Sequence, residues 1–232
     1  MTTRPTLRVC AGIALPALAL GGYAILFRPR MLRWGATRDE VAAPYPGMTV
    51  IPGGRRSPTM ATTIAAPPAV VWRWLVQMGY GRAGWYSWDH LDNWGHSSDD
   101  RIRPEWQEIA VGDRLASMPD NAAWWEVATL EPERFLGLRA TMDLKGRPFD
   151  PEGPRPAAFT DSLWGFALEP LEGDRTRLVV SGYWAMRPGW AKALTSWFLV
   201  EPAHWIMQSR QFARLKRLAE NDWQRQQSSL PA

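Results

Sequence analysis

APPAVVWRWLVQMGYGRAGWYSWDHLDNWG, residues 66–95, opens on a proline pair and an apolar repeat. Proline suits a first helical turn, where its missing N–H costs nothing, so Pro67-Pro68 starts a helix. Val71, Trp74, Leu75 and Met78 then fall at i, i+3, i+4 and i+7, one buried face, and Gly79 ends it. Upstream, TMATTIA (59–65) is a short β-favouring run. Downstream, GYGRAGWYS (79–87) is glycine-rich and leads into a short helical candidate over 88–94. It is no phosphate loop, because it lacks a Gly-Lys-Ser/Thr ending and follows no strand. Beyond it the period falls to two. Runs 124–129 and 134–141 read as strands joined at Glu131-Pro132-Glu133-Arg134, and runs 163–168 and 175–184 as two more joined at Glu172-Gly173-Asp174-Arg175. Helical spacing returns with Trp190, Ala193, Leu194, Trp197 and Phe198 up to Pro202. Trp205, Phe212, Leu215 and Ala219 then mark one side of a final helix, with Arg210, Arg214 and Arg217 turned to solvent. Strand, helix, antiparallel hairpins and a long last helix make an α+β domain.

The chain has 232 residues, room for one globular domain with an appendage. With 46% hydrophobic and 22% charged residues, it is neither disordered nor fibrous. Cys10 is the single cysteine, which excludes an intramolecular disulfide and a multi-cysteine zinc site. A net charge of +4 is too small to point to nucleic acid, and no metal or cofactor motif is present. Tryptophan is the outlier, 15 residues, more than interior packing alone demands.

Val9 to Phe27 runs without a charge between Arg8 and Arg28, long enough for one transmembrane helix. Arg4 and Arg8 precede it, whereas Arg28, Arg30, Arg33 and Arg38 follow, so the positive-inside bias places the domain in the cytoplasm. Residues 28–58, rich in proline and glycine, read as a linker lying along the domain or membrane. The expected organisation is a tail (1–8), a membrane helix (9–27), this linker (28–58), the domain (59–223) and a flexible tail (224–232).

The element order, with segments 66–95, RIRPEWQEIAVGDRL (101–115) and EPAHWIMQSRQFARLKRLAE (201–220), resembles the SRPBCC superfamily. These are the START-like, polyketide cyclase/dehydrase-like helix-grip proteins, here the bacterial branch with an N-terminal membrane helix. The resemblance implies a curved antiparallel sheet around the last helix, enclosing an apolar cavity. It does not imply one chemistry, because the fold hosts carriers, receptors and enzymes alike. It also matches Asp89 and Asp92 to positions that often carry acids, His204 to an inward-facing position, and Arg101 with Glu105 to an ion pair closing the cavity mouth.

The aromatic set is Trp85, Tyr86, Trp88, Trp94, Trp124, Trp125, Trp164, Tyr183, Trp184 and Trp205. All but Trp125 are taken as ligand-binding, offering broad apolar faces with polar tips. The mouth is expected beside Gly81, Arg82 and Gly84, with Arg101 and Glu105. Asp89, Asp92 and His96 would share one face of a continuous helix, and with His204 they are the candidates for moving protons. No coherent nucleophile or metal set accompanies them. Three functions follow: a membrane-tethered binding or carrier protein for an apolar small molecule or lipid; a cyclase/dehydrase-like enzyme on a polyketide-like or isoprenoid-like substrate; and a non-catalytic interaction domain whose cavity has collapsed.

Overall fold

A computed structural model describes residues 20–189 and 196–229. Its centre is a seven-stranded, wholly antiparallel sheet. The strands are β1 (Arg55–Arg56), β2 (Met60–Ile64), β3 (Arg114–Ala116), β4 (Trp124–Glu131), β5 (Phe135–Asp143), β6 (Phe159–Leu171) and β7 (Arg175–Arg187). They lie in the order β1-β7-β6-β5-β4-β3, and β2 pairs with the same edge of β7 as β1. Both expected hairpins are present, β4–β5 and β6–β7. The second is far longer than its apolar runs, with Phe159 opposite Arg187 at one end and Leu171 opposite Arg175 at the other. Its turn is set by Gly173 and Asp174, both at positive φ, where glycine and aspartate are tolerated.

The helices are α1 (Arg28–Met31), α2 (Arg38–Ala42), α3 (Pro68–Val76), α4 (Asp89–Asp92) and α5 (Glu201–Ser228). Helix α3 starts at Pro68 and buries Val70, Val71, Trp74, Leu75 and Val76. Helix α5 has 28 residues, hence is about 42 Å long. It continues past Trp223, where the sequence suggested a tail. Phe212, Leu215, Leu218 and Ala219 of α5 join α3 against Met60, Leu136, Leu138, Phe166, Leu178 and Val180 of the sheet. On β2, β5, β6 and β7 this face is even-numbered, whereas the register of β3 and β4 brings odd-numbered Leu115 and Val127 onto it.

The odd-numbered face is also covered. Phe135, Leu163, Val179 and Tyr183 pack under Tyr45 and Ile51, which come from the segment read as a linker. The Tyr45 hydroxyl donates to the Val179 carbonyl at 3.0 Å and accepts from the Ser181 N–H at 3.2 Å. The Ala61 N–H bonds the Trp34 carbonyl and the Thr59 N–H that of Leu32, so residues 32–34 run beside β2. Glu40 closes a capping box with Thr37 at the start of α2 and also pairs with Arg177 of β7 at 2.6 Å. Residues 28–58 therefore lie along the domain and are tied into it.

Only the end of the expected membrane helix falls among the described residues; 9–19 lie outside them. Residues 20–22 are helical and lead through a π-helical turn, Tyr23–Phe27, into α1. Among the described residues no helix is long and apolar enough to cross a membrane. The helix expected from Trp190 lies outside the described residues as far as Thr195. Trp197 and Phe198 fall in a second π-helical turn, Ser196–Val200, directly before α5.

Candidate functional site

On β5 and β6 the even-numbered face has two halves, and on β4 the same face is odd-numbered, with Val127 in the core and Trp125 at the cavity. On β5, Leu136 and Leu138 are core, while Ala140 and Met142 line a cavity of about 790 Å³. On β6 the change comes between Phe166 and Trp164, with Ser162 and Thr160 beyond. Helix α5 repeats it: Phe212, Leu215 and Ala219 are core, whereas Glu201, His204, Gln208 and Gln211, one turn apart on the same face, look into the cavity. The other wall comes from Arg28, residues 55–58, Trp85, Ser87, Asp92, Trp125, Trp184 and Trp197. The volume falls within the roughly 300–1,000 Å³ of small-molecule sites. The tryptophans border this space and leave it open.

Of the aromatic candidates, Trp85, Trp164 and Trp184 line the cavity. Trp85 and Trp164 lie 5.7 Å apart between ring centres, and Trp125 stands 5.4 Å from Trp164. Trp124, one residue away, points to the opposite face, where Arg114 stacks on it at 4.4 Å. Tyr183 is likewise on the outer face, donating to the Tyr45 carbonyl at 2.9 Å. Tyr86 is core, edge-on to Trp74. Trp88 and Trp94 are exposed. Trp205 turns to the segment before β1, 5.5 Å from Phe27 of the π-helical turn and 5.7 Å from Trp34.

The residues expected at the mouth do not line the cavity. Gly79 and Gly84 pair with each other in a tight loop, and a Cβ on Gly84 would lie 2.6 Å from the Ser98 hydroxyl. The Gly84 end of that loop is packed, and Gly84 is there for close approach. Gly81 is exposed, while Arg82 donates to the Val76 and Trp106 carbonyls at 2.9 Å. Arg101 lies 3.9 Å from Asp100, with Glu105 exposed; the ion pair in this stretch joins Arg103 to Asp99 at 2.6 Å. The residues that both line the cavity and are exposed lie elsewhere and include Arg55, Gly189, Trp197 and Val200.

Helix α4 ends after Asp92, and Trp94 and Gly95 take positive φ. The continuous face on which Asp89, Asp92 and His96 were to meet therefore does not form. His90 and His96 are exposed, His96 edge-on to Tyr80. Asp89 is structural. Arg214 grips both its oxygens at 3.0 and 2.9 Å, and the Ser98 hydroxyl donates to it at 2.6 Å. Burial alone would raise its pKa, but these bonds outweigh it and the carboxyl is held below the usual range.

Asp92 and His204 are the two candidates that share the cavity. Burial pushes the Asp92 carboxyl up to about 6, with Asp89 adding to the effect. The nearby Ser87 hydroxyl and the Asp92 N–H offset this in part, yet the Ser87 hydroxyl is directed at the Met207 carbonyl at 3.1 Å and neither Asp92 oxygen has a partner in hydrogen-bonding geometry. Burial pushes His204 down to about 4, so it is neutral near pH 7, and its Nε2 is enclosed and unpartnered. Beside them, Trp164 Nε1 donates to Gln208 at 3.2 Å, Gln208 to Gln211 at 2.7 Å, and Gln211 to the Trp85 carbonyl at 2.8 Å. These bonds fix the wall, and Asp92 and His204 stand outside them. Among the described residues no group of three or more His, Cys, Asp or Glu could hold a metal.

The raised Asp92 and lowered His204 values act oppositely on stability. Below its unfolded value, ~3.9, Asp92 is neutral in both states; as pH rises through about 6 the native state loses stability. For His204 the contribution is present above ~6.5 and is lost as pH falls towards about 4. Asp92→Asn removes the first effect alone. It is expected to be more stable than wild type at pH 7.5, with the gain vanishing near pH 4, in urea unfolding at fixed pH. No gain at pH 7.5 would mean that the native carboxylate is solvated.

Gln208, Gln211 and Glu201 were not picked out from sequence; Arg28 was read only as a charge flanking the apolar run, and Trp125 was left out of the ligand-binding set. One signal was available: the stripe of α5 changes from apolar (212, 215, 219) to polar (204, 208, 211) without leaving its face.

The fold and site together define an α+β protein in which a curved antiparallel sheet and a long C-terminal helix close over a tryptophan-lined cavity, a helix-grip-like arrangement. No family model matches the chain, and no curated protein matches it. Solved structures do. A crystal structure of a protein from Mesorhizobium loti aligns over 70% of this chain and 97% of its own, with 22% identity and a TM-score of 0.38. A solution structure from Arthrobacter aurescens aligns over 72% and 86%, with 18% identity and a TM-score of 0.41. A protein of the dynemicin biosynthetic locus aligns over 71% of this chain and 47% of its own, with 18% identity and a TM-score of 0.38. These are distant likenesses.

Proposed function

We propose that this chain is a START-like, SRPBCC-type binding or carrier protein, tethered to a membrane with its domain on the cytoplasmic side, that holds an apolar small molecule or lipid in the cavity. The observation that carries this reading is the combination of about 790 Å³ of space, tryptophan walls and two unpartnered polar groups, Asp92 and His204. Buried polar groups without partners are costly, so a ligand that supplies them is favoured. The fitting ligand is flat or chain-like and apolar over most of its surface, with a hydroxyl or N–H donor at one end.

N-Phenyl-1-naphthylamine has that form and accepts energy from tryptophan. With the full chain in nanodiscs, it is expected to quench tryptophan emission saturably, above the signal of empty discs, and Trp85→Ala is expected to weaken its binding ~10-fold. No saturable signal over empty discs would overturn the binding reading.

One observation favours the enzyme alternative: a carboxyl with a pKa near 6 and a neutral imidazole open onto one cavity. Such a pair can give and take a proton α to a carbonyl. If a polyketide-like or isoprenoid-like substrate is turned over, Asp92→Asn or His204→Gln should slow turnover ~10²–10⁴-fold with little loss of binding.

A further inference from the structure

We propose that the cavity mouth is an apolar lip seated in the interface of an anionic bilayer, so that the cavity opens onto lipid rather than onto bulk water. Two π-helical turns form the lip. Ile25, Leu26 and Phe27 of the first are exposed to 74%, 58% and 47%, and Phe198 and Leu199 of the second to 59% and 65%. Exposed apolar residues scattered singly need no explanation, but these are joined. The Tyr23 hydroxyl donates to the Trp197 carbonyl at 2.9 Å, and the Arg28 guanidinium sits 4.4 Å above the Trp197 ring. Arg28 also holds Glu201, the first residue of α5, through two bonds of 2.7 and 2.8 Å. The two turns are thus held side by side, and Trp197 and Val200 belong both to this surface and to the cavity wall.

Two observations name a bilayer as the occupant. The uncharged sequence Val9–Ala19 leads into Leu20 and the first turn, so the apolar run of the chain ends at the lip. Charge follows the same order. From Leu20 to Arg38 there are arginines at 28, 30, 33 and 38 and no acid, and Arg30 and Arg33 are exposed just past the apolar turn. Arginines directly beside an apolar surface suit anionic headgroups beside acyl chains. Asp39 and Glu40, the next acids, belong to α2, where Glu40 is taken up by Arg177.

The test reads depth without any ligand, so it stands apart from the binding reading. The full chain, with Cys10→Ser, carries a nitrobenzoxadiazole label at Leu199→Cys or, as a comparison, at Glu172→Cys in the β6–β7 turn, at the core end of those strands. In phosphatidylcholine vesicles with phosphatidylglycerol, the label at 199 is expected to be quenched by shallow doxyl lipids and to be ~10-fold less accessible to iodide than that at 172. Ile25→Cys repeats the measurement should the label at 199 disturb folding. Equal iodide access at the lip and at 172 would overturn the proposal. A consequence for exchange rests on the binding reading: Phe198→Asp with Leu199→Asp should slow loading of N-phenyl-1-naphthylamine from vesicles ~10-fold at unchanged equilibrium affinity. Depth at 199 without any probe binding would leave the lip standing and remove the ligand.

Discussion

Ala140→Trp should weaken binding of N-phenyl-1-naphthylamine at least ~100-fold, about 2.7 kcal/mol, while leaving the melting temperature within a few degrees of wild type. Ala140 sits on the even face of β5, opposite Ser162 of β6, and both residues line the cavity. A larger side chain there grows into vacant space and takes the volume a ligand needs, whereas in the packed half of the same strand it would force neighbours apart. The contrast is Leu138, two residues back and fully buried in the core. Ser162→Phe fills the same space from the adjacent strand and should reproduce the loss. Retained affinity in both variants, measured by the tryptophan-to-probe signal, would place the probe outside this cavity.

The second large effect is on stability. Phe212→Ala should cost ~3–5 kcal/mol, because the ring is buried among α3 and the sheet and its removal leaves a cavity. Arg214 lies two residues on and reads as a solvent-facing arginine between Arg210 and Arg217. The structure corrects that reading. Arg214 grips Asp89 with two bonds and donates to the Ser98 carbonyl at 3.0 Å, so it clasps the 89–98 loop to α5. Arg214→Ala is therefore expected to cost ~1.5–3 kcal/mol, the range for hydrogen bonds to charged groups. Arg217→Ala, on the exposed side, should change stability by less than ~0.5 kcal/mol. Urea unfolding of the three variants tests the ranking; equal losses at 214 and 217 would show that the clasp contributes nothing in solution.

Periodicity made much of this fold legible. Val71, Trp74 and Leu75 declare the buried side of α3, and Glu172-Gly173-Asp174 declares the β6–β7 turn, because both signals are local. The site was less legible for reasons that are also specific. Trp124 and Trp125 are equivalent in composition, yet a strand alternates faces at every residue, so the cavity takes one and the outer face the other. Tyr183 and Trp184 divide in the same way. Parity depends on register with neighbouring strands, which no single run reveals. The Gly79–Gly84 loop misled in the opposite direction: Gly84 serves close packing against Ser98, and the loop does not line the cavity. Arg28 and Glu201, 173 residues apart, became partners through tertiary contact alone. Asp89 and Asp92 look alike in sequence, and one is clasped while the other is left unpaired, a difference that only Arg214 and Ser98 decide.

The cover over the outer face of the sheet bears on where a working fragment can begin. The expected domain starts at Thr59, ahead of β2. Such a fragment would lack Tyr45 and Ile51, leaving Phe135, Leu163 and Val179 bare on a broad apolar face. It would also lack β1 and the length of chain that runs beside β2, exposing the sheet edge there. Arg28 and residues 55–58 of the cavity wall would go with them. A fragment that keeps these contacts therefore starts before Arg28, close against the apolar run, and a preparation trimmed at Thr59 is expected to self-associate through the face it has uncovered.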